Sequence, residues 1–313
     1  MAPVEKKAIP HQVFDPRSDR LITEKVCGQK LIQWAYTSPA APLFKRLIFR
    51  NSLGSRLLGR YFDSRFSRRK IPGFAREFGI DMSEVDLPEK GFTSFNHFFS
   101  RSLKPGSRPF SSSPETLICP ADCRALVFPD GLTPTDTIPV KGLQFSIPDL
   151  LSPPPDAPPV PRELAHGHVV VCRLCPADYH RYHFPAAGRV LSSWRVEGSL
   201  HSVNPLPLSL GVKVFTENTR EVSVLQLERF GLCAFVEVGA FGVGRIKRTH
   251  TAETFQKMDE KGYFQFGGST VVMVLPPGTV TFRDDLCHWS KKGVEVLCKT
   301  GDSLGVRQPT RHP

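Results

Sequence analysis

The sequence predicts an α+β protein, in which an N-terminal helical region precedes a mainly antiparallel β domain of short strands. Apolar residues recur at helical spacing through the first hundred residues. From about Leu117 onward the chain is rich in Val, Phe and Thr, and Gly and Pro interrupt it at short intervals, which is typical of many short strands. Segments long enough to be the helices of repeated βαβ units are missing there, which disfavours a doubly wound parallel sheet.

We place the boundary near residue 110, with a helical, basic region over 1–110 that is expected to associate with a membrane, and a β-rich catalytic domain over 111–313. Proline lacks an amide donor and fixes φ, so the proline-rich residues 153–161 are expected to form an exposed connection. The predicted strands are Arg124–Phe128, His168–Arg173, Val190–Val196, Val222–Leu227, Cys233–Val238, Thr270–Leu275 and Val294–Lys299.

The formal charge of +11 predicts an anionic partner. Much of the excess of Lys and Arg lies in residues 43–70, where it forms a basic amphipathic pattern. One interpretation is a pair of surface helices with a solvated basic face. The other is attachment to acidic lipid headgroups, where each basic residue contributes about 1 kcal/mol. We expect no nucleic-acid partner, because no helix-turn-helix, RNA-recognition or zinc-finger pattern is present.

Membrane contact is expected to be peripheral, because apolar runs such as 232–236 and 271–275 are too short to cross a bilayer. The N-terminus is polar and the eight cysteines are irregularly spaced. These features predict reduced thiols and a cytosolic or cytosol-facing compartment.

Three short segments carry candidate catalytic residues. Asp122 lies in a proline-led turn before a strand, where a carboxylate most often accepts local backbone amides. His180 and His183 lie three residues apart, a spacing that suits metal binding, acid-base chemistry or two surface side chains. Residues 267–270 read Gly-Gly-Ser-Thr, which places Ser269 behind two glycines but also looks like a tight turn between strands.

Together these segments supply a carboxylate, an imidazole and a hydroxyl in the chain order Asp, His, Ser. These groups can orient a base, deprotonate a nucleophile and attack a carbonyl. The Gly-x-Ser-x-Gly nucleophile elbow is absent, because both glycines precede Ser269.

With these segments in this order, the sequence resembles the phosphatidylserine decarboxylase proenzymes over most of its length. The resemblance depends on an ordered series of motifs, each common by itself. Beyond the three segments the series comprises Phe95–Pro109, Lys141-Gly142, Phe145–Ile147, His201–Pro205, Val238–Ala240, Lys261–Thr270 and Thr300–Asp302.

The resemblance implies an inactive precursor that cuts itself between Gly268 and Ser269, giving a β chain of 1–268 and an α chain of 269–313. His183, oriented by Asp122, would draw the proton from Ser269, whose oxygen attacks the Gly268 carbonyl. Elimination from the resulting ester would leave a covalent pyruvoyl group at residue 269. That group would form a Schiff base with the amine of phosphatidylserine and give phosphatidylethanolamine and CO2. His180 would assist decarboxylation or protonation of the product.

The basic N-terminal segment fits an enzyme whose substrate lies in an anionic phospholipid membrane, which we expect as the partner. With no transit peptide or spanning helix recognised, the simplest placement is peripheral, on the cytoplasmic side of the cell membrane. A homodimer is left open. Two alternatives also remain at this point: a pyruvoyl-dependent decarboxylase of a free amino acid, and a non-catalytic lipid-binding relative. The second is disfavoured because Asp122, His183, Gly268 and Ser269 are all present.

The cysteines suggest a competing metal site. Cys119 and Cys123, with Cys172 and Cys175, resemble two metal-binding pairs. Pyruvoyl chemistry needs no metal, so we expect none here. Cys123 also departs from the glycine that usually follows the aspartate in the family, which puts the backbone conformation of that turn in question.

Overall fold

The computed structural model describes residues 11–24, 59–129, 145–199, 214–242 and 245–309. The strands are β1 Gln12–Asp15, β2 Arg20–Thr23, β3 Thr116–Ile118, β4 Cys123–Phe128, β5 His168–Leu174, β6 Arg181–His183, β7 Gly188–Val196, β8 Arg220–Leu227, β9 Gly231–Gly242, β10 Ile246–Arg248, β11 Thr254–Phe255, β12 Glu260–Phe264, β13 Gly267–Leu275, β14 Val280–Phe282, β15 Glu295–Cys298 and β16 Ser303–Arg307. The helices are α1 Ile71–Phe78, α2 Phe95–Phe99, α3 Ile147–Leu151, α4 Val214–Glu217 and α5 Asp284–Lys291, with 3₁₀ turns at Arg65–Lys70 and Arg162–Leu164.

The main sheet has ten strands in the order β11-β7-β8-β9-β13-β5-β4-β15-β1-β2. Its pairings are antiparallel except for β1 beside β15. Two three-stranded sheets complete the described β structure, in the orders β10-β12-β6 and β14-β16-β3. The mainly antiparallel α+β architecture expected from the sequence is therefore confirmed.

The central strands are buried on both faces. In β13, Val271 and Met273 belong to one apolar cluster and Val272 and Val274 to another, because successive side chains of a strand point to opposite faces. Ser269 has the same parity as Val271. It therefore faces the cluster that also contains Tyr182 of β6.

All seven predicted strands are present, within a few residues of their predicted ends. Residues 153–161 form the expected connection without helix or strand. The Gly-Gly-Ser-Thr run is not a turn between strands, because it begins β13 and pairs with both neighbouring strands.

The predicted helical region over 1–110 is corrected in part. Gln12–Asp15 and Arg20–Thr23 are strands, and this N-terminal hairpin extends the main sheet through β15. Both strands have only four residues, too few to give a clear alternating pattern. Helices do occupy part of the later segment, around α1 and α2. Most of the basic segment 43–70 lies outside the described residues, and no described helix is long and apolar enough to cross a membrane.

Candidate active site

Ser269 lies in the middle of the main sheet. It pairs with Leu174 of β5 on one side and Gly239 of β9 on the other. Its side chain has no exposed surface. A hydroxyl at this position is held by two strands and shielded from water, so its chemistry depends on the few groups that contact it.

The backbone before Ser269 is irregular. Gly267 pairs with Gly242, whereas Ser269 pairs with Gly239, so β9 contains one extra residue opposite this step. Gly267 has φ of 149°, a conformation that side-chain-bearing residues rarely adopt. The pairing is therefore irregular across the step from Gly267 to Ser269, which includes the Gly268–Ser269 peptide, and Gly267 adopts a backbone conformation that favours glycine.

His180 is the side chain that contacts the Ser269 hydroxyl. Its Nδ1 lies 3.2 Å from Ser269 Oγ, and its Nε2 lies 2.9 Å from the Cys175 carbonyl oxygen. A carbonyl can only accept, so Nε2 carries the proton and Nδ1 is the acceptor for the serine hydroxyl. The register explains the contact, because β5 ends at Leu174 opposite Ser269 and leads directly into the segment that carries His180.

The surroundings of His180 keep its ring neutral. Burial lowers its pKa to about 3, and the positive charge of Arg101 acts in the same direction. The ring of Phe99 stacks on the imidazole with a centroid distance of 3.9 Å. The ring is thus fixed in position and in tautomer beside Ser269.

Asp122 lies in the predicted turn, immediately before β4. Arg108 donates to both of its carboxylate oxygens, through Nε at 2.9 Å to Oδ1 and Nη2 at 2.6 Å to Oδ2. The backbone N–H and hydroxyl of Thr300 donate to Oδ1 at 2.9 and 3.0 Å. The carboxylate is therefore held in place by an arginine and two neutral donors.

His183 lies beside the Asp122 turn, because its backbone N–H donates to the Pro120 carbonyl at 2.8 Å. Burial lowers the pKa of its ring to about 4, while the nearby Glu260 and Asp122 charges oppose that shift. Its Nδ1 is buried and has no hydrogen-bond partner among the described residues. Tyr179 stacks on the ring with a centroid distance of 5.8 Å.

The predicted site residues therefore form two separate groups. In one, His180 contacts Ser269; in the other, the turn that contains Asp122 lies beside His183. Within the described residues, however, no hydrogen bond joins His183 to Ser269 or to Asp122.

Sequence reasoning missed the partners that fix these groups. Arg108 and Thr300 lay within the motifs Phe95–Pro109 and Thr300–Asp302, but no role was assigned to either. The sequence feature that could have identified these two residues is their position within the family motifs. Thr300 and Asp122 are 178 positions apart in the sequence, so no local pattern could reveal their contact.

An aromatic cluster supports the segment before the cleavage site. Phe266 packs against Phe62, Phe95 and Phe99 with centroid distances of 4.2 to 5.2 Å. The side chain of Asn96 accepts from the Phe266 backbone N–H at 2.8 Å. Helix α2 therefore contacts both the chain leading to Gly268 and, through Phe99, the ring of His180.

Three cysteines approach one another as a metal site would require. The sulfurs of Cys119, Cys123 and Cys172 lie within 4.8 Å of one another, whereas Cys175 contacts Arg173 instead. Burial raises the pKa values of the Cys119 and Cys123 thiols well above their usual range. Zinc binds thiolates and would itself favour their deprotonation, so the expectation that this cluster holds no metal stays a prediction.

Known proteins resemble the chain over nearly its whole length. The family model for phosphatidylserine decarboxylase matches residues 95–300. The phosphatidylserine decarboxylase proenzyme of Ruminiclostridium cellulolyticum is 35% identical over 295 residues, which cover 94% of this chain and 97% of the relative. The proenzymes of Clostridium perfringens and Desulfitobacterium hafniense are 36% and 37% identical, over 94% and 95% of this chain and 99% of each relative.

The matched region, residues 95–300, contains the Asp122 turn, both histidines and the strand β13 with Ser269. The alignments with the relatives extend beyond residues 95–300 on both sides. Their sequence identity of 35% to 37% over at least 94% of the chain is higher than a shared fold alone would explain. The chain belongs to the phosphatidylserine decarboxylase family.

Proposed function

We propose that the chain is a proenzyme that cuts itself between Gly268 and Ser269 and then converts phosphatidylserine to phosphatidylethanolamine and CO2. The observation that carries this proposal is the buried Ser269 hydroxyl, hydrogen-bonded to a neutral histidine at a bulged Gly-Gly-Ser step. The relatives named as phosphatidylserine decarboxylase proenzymes supply the substrate class.

Self-cleavage uses only groups of this chain and one water molecule. Ser269 loses its hydroxyl proton, its oxygen bonds to the Gly268 carbonyl carbon, and the peptide C–N bond breaks to give an ester and a free amine. Loss of the Ser269 Cα proton expels the Gly268 carboxylate and leaves dehydroalanine at position 269. Its imine tautomer takes up water and releases ammonia, which leaves a pyruvoyl group on Thr270.

We assign the removal of the serine proton to His183. A base that becomes an imidazolium needs compensating negative charge, and the charges of Glu260 and Asp122 oppose the lowering of the His183 pKa that burial causes. Its buried Nδ1 also has no described partner that would compete for the proton. This assignment requires the Ser269 hydroxyl to turn from His180 to His183 before attack.

The contact between His180 and the Ser269 hydroxyl favours a second assignment, in which His180 is the base. His180 already accepts from Ser269 in the uncut chain, through the correct ring nitrogen. Arg101 and Arg124 lower the pKa of His180, so an imidazolium there would form close to two positive charges. We therefore give His180 the role of holding the hydroxyl and treat its action as the base as the competing assignment.

The residues around position 269 fit the pyruvoyl cofactor that the family implies. Residue 269 is buried beside a neutral imidazole, and the strand after it is fully buried. Once formed, a pyruvoyl group at position 269 would supply a ketone for condensation with the substrate amine and a sink for the electrons of the bond to CO2. His180 contacts this position through Nδ1, so it can hold or transfer the proton required at the former α carbon of the substrate.

Membrane attachment is proposed through the basic segment before α1, on the cytoplasmic side of the cell membrane. In its described part the Phe66 side chain is 67% exposed and lies among Arg65, Arg68, Arg69 and Lys70. An exposed aromatic ring among cations suits the interface of an anionic bilayer. Phe66→Ser should weaken sedimentation with phosphatidylserine vesicles and leave self-cleavage unchanged. Equal sedimentation with neutral phosphatidylcholine vesicles would contradict the electrostatic component.

Activity on lipid tests the substrate assignment. Purified protein, mixed with vesicles of carboxyl-labelled phosphatidylserine, should release labelled CO2 and form phosphatidylethanolamine. Ser269→Ala serves as the matched control and should release none. Release from free L-serine but not from the vesicles would contradict the lipid assignment while leaving self-cleavage intact.

A further inference from the structure

A network of buried charges lies behind the turn that holds His180. Arg173 and Arg124 are its cations, and Glu24, Glu295 and Asp178 are its carboxylates. Arg173 contacts Glu24 at 2.9 Å and Glu295 at 2.5 Å. Each of these five side chains is at most 14% exposed. Buried charges are costly unless they are paired, and each of the three carboxylates lies against at least one of the two arginines.

The turn itself runs from Cys175 to Asp178. The backbone N–H of Asp178 donates to the Cys175 carbonyl at 2.9 Å, and the Asp178 carboxylate accepts from the Cys175 N–H at 2.6 Å. Arg124 forms an ion pair with Asp178, and Arg101 donates to the carbonyls of Ala177 and Asp178. The same Cys175 carbonyl accepts from His180 Nε2, so the turn sets the tautomer of the ring beside Ser269.

Glu24 connects this turn to the N-terminal hairpin. Its backbone N–H donates to the His11 carbonyl at 2.9 Å, which continues the β1–β2 ladder. Its carboxylate lies 2.8 Å from Arg124 Nε and accepts from the Cys175 thiol. Three hydrogen bonds therefore lead from Glu24 to Cys175, from the Cys175 carbonyl to His180, and from His180 to Ser269.

We infer that Glu24 is a positioning residue for self-cleavage, through which the docked N-terminal hairpin holds the Cys175–Asp178 turn and presents His180 Nδ1 to Ser269. The inference rests on the proposed self-cleavage at Gly268–Ser269. Its consequence is an order of events, in which the chain becomes competent to cut itself only after its N-terminal hairpin has joined the sheet.

Substitution of Glu24 should slow self-cleavage without unfolding the chain, because the remaining buried charges stay paired. Without Glu24, Arg124 still faces Asp178 and Arg173 still faces Glu295, so neither cation is left without a carboxylate. Glu24→Gln keeps the volume and an acceptor for the Cys175 thiol, whereas Glu24→Ala removes both. We expect graded loosening of the turn rather than unfolding.

The test follows cleavage of freshly refolded full-length chains by mass spectrometry. Glu24→Ala should cut about 10-fold more slowly than the unaltered chain, since small displacements of reacting groups have effects of this order or larger. Glu24→Gln should fall between the two. Glu115→Gln is the control, because Glu115 also contacts two arginines, Arg229 and Arg307, but lies at the surface.

A second measurement separates positioning from stability. In the uncut Ser269→Ala background, ¹⁵N chemical shifts of the His180 ring should report protonated Nε2, and Glu24→Ala should give a mixture of tautomers. Unaltered cleavage rate and tautomer in Glu24→Ala would overturn the inference. Failure of the unaltered chain to cut at all would instead overturn the proposed function.

Discussion

His180 and His183 lie three residues apart, and burial lowers the pKa of both rings, yet the hydrogen-bond partners and charges around them differ. His180 has a partner on each ring nitrogen and two arginines that disfavour its charged form. His183 has an unpartnered Nδ1 among the described residues, and two carboxylates, Glu260 and Asp122, favour its charged form while one arginine, Arg181, disfavours it. The comparison separates holding a hydroxyl in place from accepting its proton, two roles that a single histidine performs in a Ser-His-Asp triad.

Ser269→Ala is the largest change, because it removes the group on which both histidines act. We expect neither cleavage nor decarboxylation, since no oxygen remains to attack Gly268 or to become the cofactor. Gel mobility and CO2 release measure the two losses. The variant should still fold, because Ser269 contributes one side-chain hydrogen bond in the described structure, and unfolding by circular dichroism checks this point.

Separate alanine variants of the two histidines test the division between them directly. His183→Ala should remain uncut, because the proposed base is lost. His180→Ala should cut slowly but should not release CO2, since the acceptor beside position 269 is missing. A normally cut His183→Ala protein, together with an uncut His180→Ala protein, would transfer the base role to His180.

Asp122→Asn tests whether the negative charge of Asp122 supports the action of His183 as a base. The carboxylate holds its place through Arg108 and Thr300, so we expect it to act on His183 by charge rather than by a hydrogen bond. Asparagine can still accept from Thr300 but carries no charge, and cleavage should slow about 100-fold, within the range of general acid-base contributions.

Thr300→Val provides the control for Asp122→Asn, because it removes one hydrogen bond and leaves the charge. It should slow cleavage far less. Equal rates for the two variants, measured as first-order appearance of the fragment 269–313, would contradict a role of the charge.

Protonation of the buried histidines should make stability depend on pH. Their pKa values are about 3 and 4 in the folded chain, below the 6.5 of an exposed imidazole, so the unfolded state binds more protons between these limits. The stability they contribute is complete above pH 6.5 and falls as the pH is lowered toward 4. Each should lose about 2 kcal/mol by pH 5.

Urea titrations of the uncut Ser269→Ala protein at pH 7 and pH 5 measure this loss. Replacement of His180 by Phe should remove the His180 share of the difference, which separates it from the contribution of the carboxylates. An identical pH dependence in the two proteins would show that His180 is already protonated or exposed in the folded chain.

The sequence located the strands but not their neighbours. Val271 to Leu275 predicts a buried strand by its β-branched run, whereas its pairing with β5 and β9 depends on contacts far apart in the chain. The same distinction holds at the site. Asp122, the two histidines and Ser269 were predicted from residue type and family motifs, but the hairpin with Glu24 was missed because its strands are short and its contacts are distant.

Intact mass of the purified, folded chain tests the central claim most directly. The account predicts two polypeptides, residues 1–268 with an ordinary carboxyl terminus, and residues 269–313 with a mass and a blocked N-terminus that correspond to a pyruvoyl group. A folded, full-length product with Ser269 unchanged would contradict it.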